Sequence, residues 1–84
     1  MKPYQIFVRL EAVEALRSIR ANERKRVAAF IDSLAREPLQ RGDYREKDDT
    51  RREIEIKIIG RHAVTYWADH AVAEVKVTDI RDAD

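Results

Sequence analysis

The chain has 84 residues, of which 44% are hydrophobic and 39% charged, and its formal net charge is +1. That is the length of one domain with a small core, apolar enough to fold and too charged to cross a membrane. The absence of cysteine excludes disulfide staples and thiolate zinc sites. No apolar stretch of signal-peptide length opens the sequence, so the expectation is a single cytoplasmic domain over residues 1–84. Charge is uneven along the chain: residues 1–42 are net basic and residues 43–84 net acidic. A local basic patch can still bind phosphate when the total is near zero.

Tyr4 to Arg9 is β-rich and bounded by Pro3, so it reads as a first strand with Tyr4, Ile6 and Val8 on one face and Phe7 on the other. Val13, Leu16 and Ile19 then recur at helical spacing, flanked by Ala12 and Ala15. Asn22 stands where a second helix would be capped. That helix carries Val27, Phe30, Ile31 and Leu34 as one apolar stripe, and Pro38 stops it. Two amphipathic helices this close form a hairpin that needs a sheet to cover.

Residues 39–50 are polar and aperiodic and read as a loop. Alternation returns at Glu53–Ile58, with Ile54, Ile56 and Ile58 on one face and Glu53, Glu55 and Lys57 on the other. Gly60-Arg61 turns the chain into a strand from His62 to Ala68, and Asp69-His70 turns it into a last strand from Val72 to Ile80. The expected fold is α+β, ordered β-α-α-β-β-β: a small antiparallel sheet with the helical hairpin packed on one face. The first strand should lie at an edge or beside the last. Placing the isoleucines under the helices leaves a polar face open, carrying Lys57 and Lys76, with Glu53, Glu55 and Glu74 nearby and Trp67 among them.

Taken in order, several pieces resemble one known family. They are Tyr4-Gln5-Ile6, Leu16 and Ile19 before a basic second helix, Leu34-Ala35-Arg36-Glu37-Pro38, Gly60 followed by Val64-Thr65-Tyr66, and a hydrophobic final strand. Together they look like a RelE/ParE-type toxin over nearly the whole chain. The resemblance implies the toxin half of a type II toxin–antitoxin pair, silenced by a cognate antitoxin that wraps it. It implies either ribosome-dependent cleavage of mRNA, which inhibits translation, or, in the gyrase-directed branch, poisoning of DNA gyrase. No cofactor is expected, and no metal, because no carboxylate or thiol cluster joins the two histidines at ligand spacing. A degenerate member acting mainly as an antitoxin partner is the remaining alternative.

Cutting RNA needs a base for the 2′-hydroxyl, cations for the scissile phosphate and an acid for the leaving oxygen. On the resemblance, the catalytic candidates are Lys57, Arg61 and Arg81. The RNA-binding candidates are Arg45, Lys47, Arg51, Arg52, Trp67 and Lys76, with Arg24, Lys25 and Arg26 as further basic contacts. The bland counterparts are solvated charge for the basic residues and a sheet cover or antitoxin contact for Trp67. Two departures stand out. Ribosome-dependent relatives carry an Arg three residues before the middle-strand Tyr, where this chain has Ala63. It also lacks a terminal His/Tyr or Arg/Tyr pair. His62 and His70 flank turns at opposite ends of one strand, which suits structural roles better than catalysis or metal binding.

Overall fold

Five strands and two helices make up the computed structural model, which describes residues 2–83. In chain order they are β1 (Gln5–Val8), α1 (Leu10–Ser18), α2 (Ala21–Ser33), β2 (Tyr44–Lys47), β3 (Glu53–Ile59), β4 (His62–Asp69) and β5 (Glu74–Asp82). They form one sheet in the order β1-β5-β4-β3-β2. The first strand does lie at an edge beside the last. It runs parallel to it, with Ile6 against Val75 and Val8 against Val77, so the sheet is mixed and not purely antiparallel. The helical hairpin carries the chain from β1 across the sheet to β2 at the far edge, and β3, β4 and β5 then return strand by strand to meet β1.

Residues 39–50 are not all loop. Tyr44–Lys47 forms an antiparallel edge strand on β3, with Arg45 opposite Glu55. Its four side chains are all exposed, so burial left no periodic mark on its sequence. Asn22 is not the cap of α2 either. The helix begins at Ala21 with extended Arg20 at the capping position and no side-chain cap.

The core lies between the helices and one face of β1, β5 and β4. Ala12, Ile19, Val27, Ile31 and Leu34 from the helical side meet Val64, Tyr66, Val75, Val77 and Ile80 from the sheet. Each of the fully buried valines contributes roughly 1.5–3 kcal/mol by leaving water. Phe30 adds an edge-to-face contact with Tyr66, their ring centroids 5.5 Å apart.

The expected assignment of faces to β3 is reversed. Lys57 pairs with fully buried Val64, and Glu55 pairs with Tyr66, so both point to the helix side. Ile56 pairs with Thr65 and Ile58 with Ala63, so the isoleucines line the open face. Residues opposite one another in an antiparallel pair share a face, which makes the register decisive. The helices cover the β1-β5-β4 end, and only Ile59 of β3 packs against the core.

A bulge in β5 completes the positioning. Tyr66 faces Val77 while Thr65 faces Asp79, so Thr78 has no opposite number in β4. The extra residue shifts the alternation by one. Val75, Val77 and Ile80 therefore all reach the core, and Arg81 turns to the open face opposite Ala63.

Candidate functional site

One row of side chains crosses the open face. Phe7 pairs with Lys76, Lys76 pairs with Trp67, and Ile54 follows one register place beyond the Glu55–Tyr66 pair. Around them lies a groove of about 540 Å³, lined also by Arg9, Asp48, Asp49, Thr50, Arg52 and Thr78. The Arg52 guanidinium carbon sits 3.8 Å from the Trp67 ring centre, and the Lys76 ammonium 4.9 Å from it. Both distances lie within cation–π range. Phe7 and Tyr44 add exposed aromatic surface to the same face.

The turn between β2 and β3 holds Arg52 in place. The Asp48 carboxylate accepts from the Thr50 backbone N–H at 2.9 Å, the Thr50 hydroxyl at 2.7 Å and the Arg52 backbone N–H at 2.9 Å. Its second oxygen faces the Arg52 guanidinium at 3.5 Å. The Thr50 hydroxyl bond leads in holding the Asp48 carboxyl below its ordinary range, and the backbone bonds and Arg52 add to it. Arg51 adopts a left-handed conformation (φ 66°) within this turn. Its place is explained by the turn and not by the groove.

The structure therefore brings together three of the expected RNA contacts, Arg52, Trp67 and Lys76, and separates the rest. Arg45 lies on the helix-side face with its guanidinium 3.3 Å from Glu55, and Lys47 stands opposite Glu53 on the same face. Lys57 is not on the open face; its ammonium is 3.7 Å from Asp43 on the helix side. Arg61 occupies the β3–β4 turn, beside Arg20 and Glu23 at the start of α2. Arg81 is on the open face, clasped by Asp79. It sits roughly 13 Å along the strands from Trp67, four residues of strand rise away. Arg24 donates to the Ile19 carbonyl at 3.2 Å, closing the end of α1.

The charged cluster on the helix side is structural. Glu55 accepts the Gly42 N–H at 2.7 Å and is flanked by Arg41 and Arg45. Below it the Tyr66 hydroxyl donates to the Gln40 carbonyl at 3.0 Å. Burial first, then the charges of Glu55 and Asp43, push the Tyr66 hydroxyl up to about 12, with Arg45 opposing. His62 lies 3.6 Å from Glu23 under α2, and His70 shares a 2.8 Å hydrogen bond with the Tyr4 hydroxyl. Neither imidazole reaches the groove. Among the described residues, no three His, Asp or Glu side chains converge as a metal site.

Sequence reasoning missed Phe7 and Ile54 as groove residues. Phe7 was legible, because alternation sets it opposite the core positions Ile6 and Val8. Ile54 was not, since only the β3–β4 register reveals its face.

No protein-family model matches the sequence, and no curated protein matches it. Solved structures do match in fold. A chain of the archaeal RelE–RelB complex from Pyrococcus horikoshii superposes with a TM-score of 0.81 at 19% identity, covering 96% of each chain. The RelBE2 toxin–antitoxin complex of Mycobacterium tuberculosis gives 0.78 at 20% identity, over 95% of this chain and 98% of that one. A mutant of the E. coli toxin RelE in the free state gives 0.66 at 12% identity, over 98% and 85%. The chain has the RelE fold.

Proposed function

We propose that the chain is the toxin of a toxin–antitoxin pair, acting in the cytoplasm as a ribosome-dependent mRNA endonuclease that inhibits translation. The observation that carries this reading is the convergence of Trp67, Arg52 and Lys76 in one groove on the uncovered face of a RelE fold. An aromatic ring between cations is how single-stranded RNA is gripped: bases stack, and phosphates pair with the cations. The M. tuberculosis structure is a toxin–antitoxin complex and the P. horikoshii one holds RelE with RelB, which supports a cognate antitoxin here.

In the proposed reaction the 2′-hydroxyl attacks the adjacent phosphate as its proton leaves, and the 5′-oxygen departs and takes up a proton. Arg81 remains the candidate for stabilising that phosphate, because the β5 bulge aims it at the open face beside Ala63. Lys57 and Arg61 drop out of the role, since neither side chain shares that face. A face with cations but no imidazole suits a nuclease whose acid–base groups are completed by the ribosome.

The test is mRNA cleavage on purified, programmed ribosomes. Wild-type protein should cut, and Lys76→Ala and Arg81→Ala should each cut at least about tenfold more slowly, the scale of one lost transition-state contact. Lys57→Ala should cut normally. A second reading is favoured by Ala63 and by the Asp79 carboxylate that already holds Arg81. In it the protein binds without cutting, as a gyrase inhibitor or an antitoxin-bound remnant. Growth arrest with mRNA left intact, together with inhibited supercoiling by gyrase, would establish the gyrase version.

A further inference from the structure

The β5 bulge turns two opposite charges to the open face together. Val75 and Val77 face the core, so unbroken alternation would send residues 79 and 81 there as well. Thr78 takes the extra place, its hydroxyl 3.5 Å from the Thr65 carbonyl, and Asp79 and Arg81 emerge opposite Thr65 and Ala63. There the two side chains meet. The Arg81 Nε and a terminal guanidinium nitrogen both donate to one carboxylate oxygen of Asp79. Their neighbours across the sheet bring no charge: beyond Thr65 comes Ile56, and beyond Ala63 comes Ile58. The Asp79 side chain is 33% exposed and that of Arg81 74%, so the carboxylate is the fixed end of the pair and the guanidinium the movable one.

We propose that Asp79 is a positioning residue that restrains the cleavage step: it seats Arg81 on the open face, yet holds its charge in an internal pair that RNA must loosen. The inference rests on the role given to Arg81 in the reading above. A guanidinium carries five N–H donors and the pair occupies two, so others remain for a phosphate. That phosphate meets the Asp79 carboxylate as well, and like charges so close repel. The cost grows along the reaction, because attack by the 2′-hydroxyl gathers negative charge on the phosphate oxygens. Asp79 therefore slows the step more than it weakens binding. An ion pair this open to water is a mild hold, so it sets a rate and does not act as an on–off switch.

The purified full chain is compared with Asp79→Asn, Asp79→Glu, Arg81→Ala and the double variant Asp79→Asn/Arg81→Ala. Two quantities are read: the single-turnover rate of mRNA cleavage at saturating programmed ribosomes, and the salt dependence of binding to a short fluorescein-labelled single-stranded RNA. Asp79→Asn should cut about two- to fivefold faster than wild type, the worth of one exposed ion pair. Its log–log salt slope should steepen by roughly 0.7, one phosphate contact more. Asp79→Glu restores the pair and should return both values towards wild type. In the Arg81→Ala background Asp79→Asn should change neither, because the cation it releases is gone. Asp79→Thr, a good strand former, takes the place of the asparagine variant if that one fails to fold. Wild type that cuts, with Asp79→Asn no faster, overturns the restraint and leaves the nuclease reading standing. An acceleration that persists without Arg81 overturns it too, since it would belong to the lost negative charge alone. If neither wild type nor Asp79→Asn cuts, the nuclease reading falls and the restraint with it. Cleavage by Asp79→Asn alone would be the restraint in its strongest form.

Discussion

Tyr66 stabilises the fold through its neutral form. Its hydroxyl is buried under the loop that ends at Gly42, bonded to the Gln40 carbonyl and overlooked by Glu55 and Asp43. Its pKa is raised from 10.0 to about 12, so the folded state keeps the proton longer than the unfolded chain does. The stability this contributes is complete below the ordinary tyrosine value and is lost as pH rises through the folded one. Denaturant titrations at neutral and strongly alkaline pH should show wild-type stability falling across that window. Tyr66→Phe should flatten the fall, at a cost of about 1 kcal/mol at neutral pH from the unpaired Gln40 carbonyl. An equal alkaline loss in both proteins would assign it to other groups.

At the scale of elements, the sheet is governed by where the hairpin stops. Alternation in β3 is plain in the sequence, and strands, helices and their order follow from it and from the stripe Val27, Phe30, Ile31 and Leu34. The faces of β3 do not follow. Three isoleucines invite the assumption of a core face, yet the helices lie over β1, β5 and β4, and a charged loop covers the rest. Glu55 reaches the half-buried side because Gly42, Arg41 and Arg45 supply its partners, and no local pattern announces them. For the same reason Lys57 looked accessible, whereas Lys76 and Trp67, whose strands alternate against a real core, were readable.

Gly42 holds that loop down. A Cβ there would meet the Ile56 carbonyl oxygen at 2.5 Å, a backbone atom that cannot swing aside. Gly42→Ala should destabilise the protein by about 1–3 kcal/mol in chemical denaturation. Hydrogen exchange should quicken first along Tyr44–Lys47, the edge strand that follows.

For the molecule as a whole, the uncovered face matters most. Phe7, Tyr44, Trp67 and three isoleucines share it, in a chain whose core is small. An apolar face of this kind is what a partner covers. On the toxin reading proposed above, an antitoxin at about a hundredfold over its Kd should raise the unfolding free energy by about 2.7 kcal/mol. It should also protect β2 and β3 amides from exchange. A thermal midpoint indifferent to antitoxin, at concentrations where both proteins co-elute, would place the contact elsewhere or leave it too weak to matter.

The parallel pairing of β1 with β5 also orders events in time. Gln5–Val8 emerges early from the translating ribosome and has no sheet partner until Glu74–Asp82 follows. Meanwhile α1, which packs chiefly on β5, has little to lean on. Contacts so distant along the chain form late. The groove needs Phe7 from one of these strands and Lys76 from the other, so it cannot exist on a partly made chain. If the protein attacks translation, its synthesis is self-sparing: the growing polypeptide remains harmless to the ribosome producing it until the last strand is free to close the sheet.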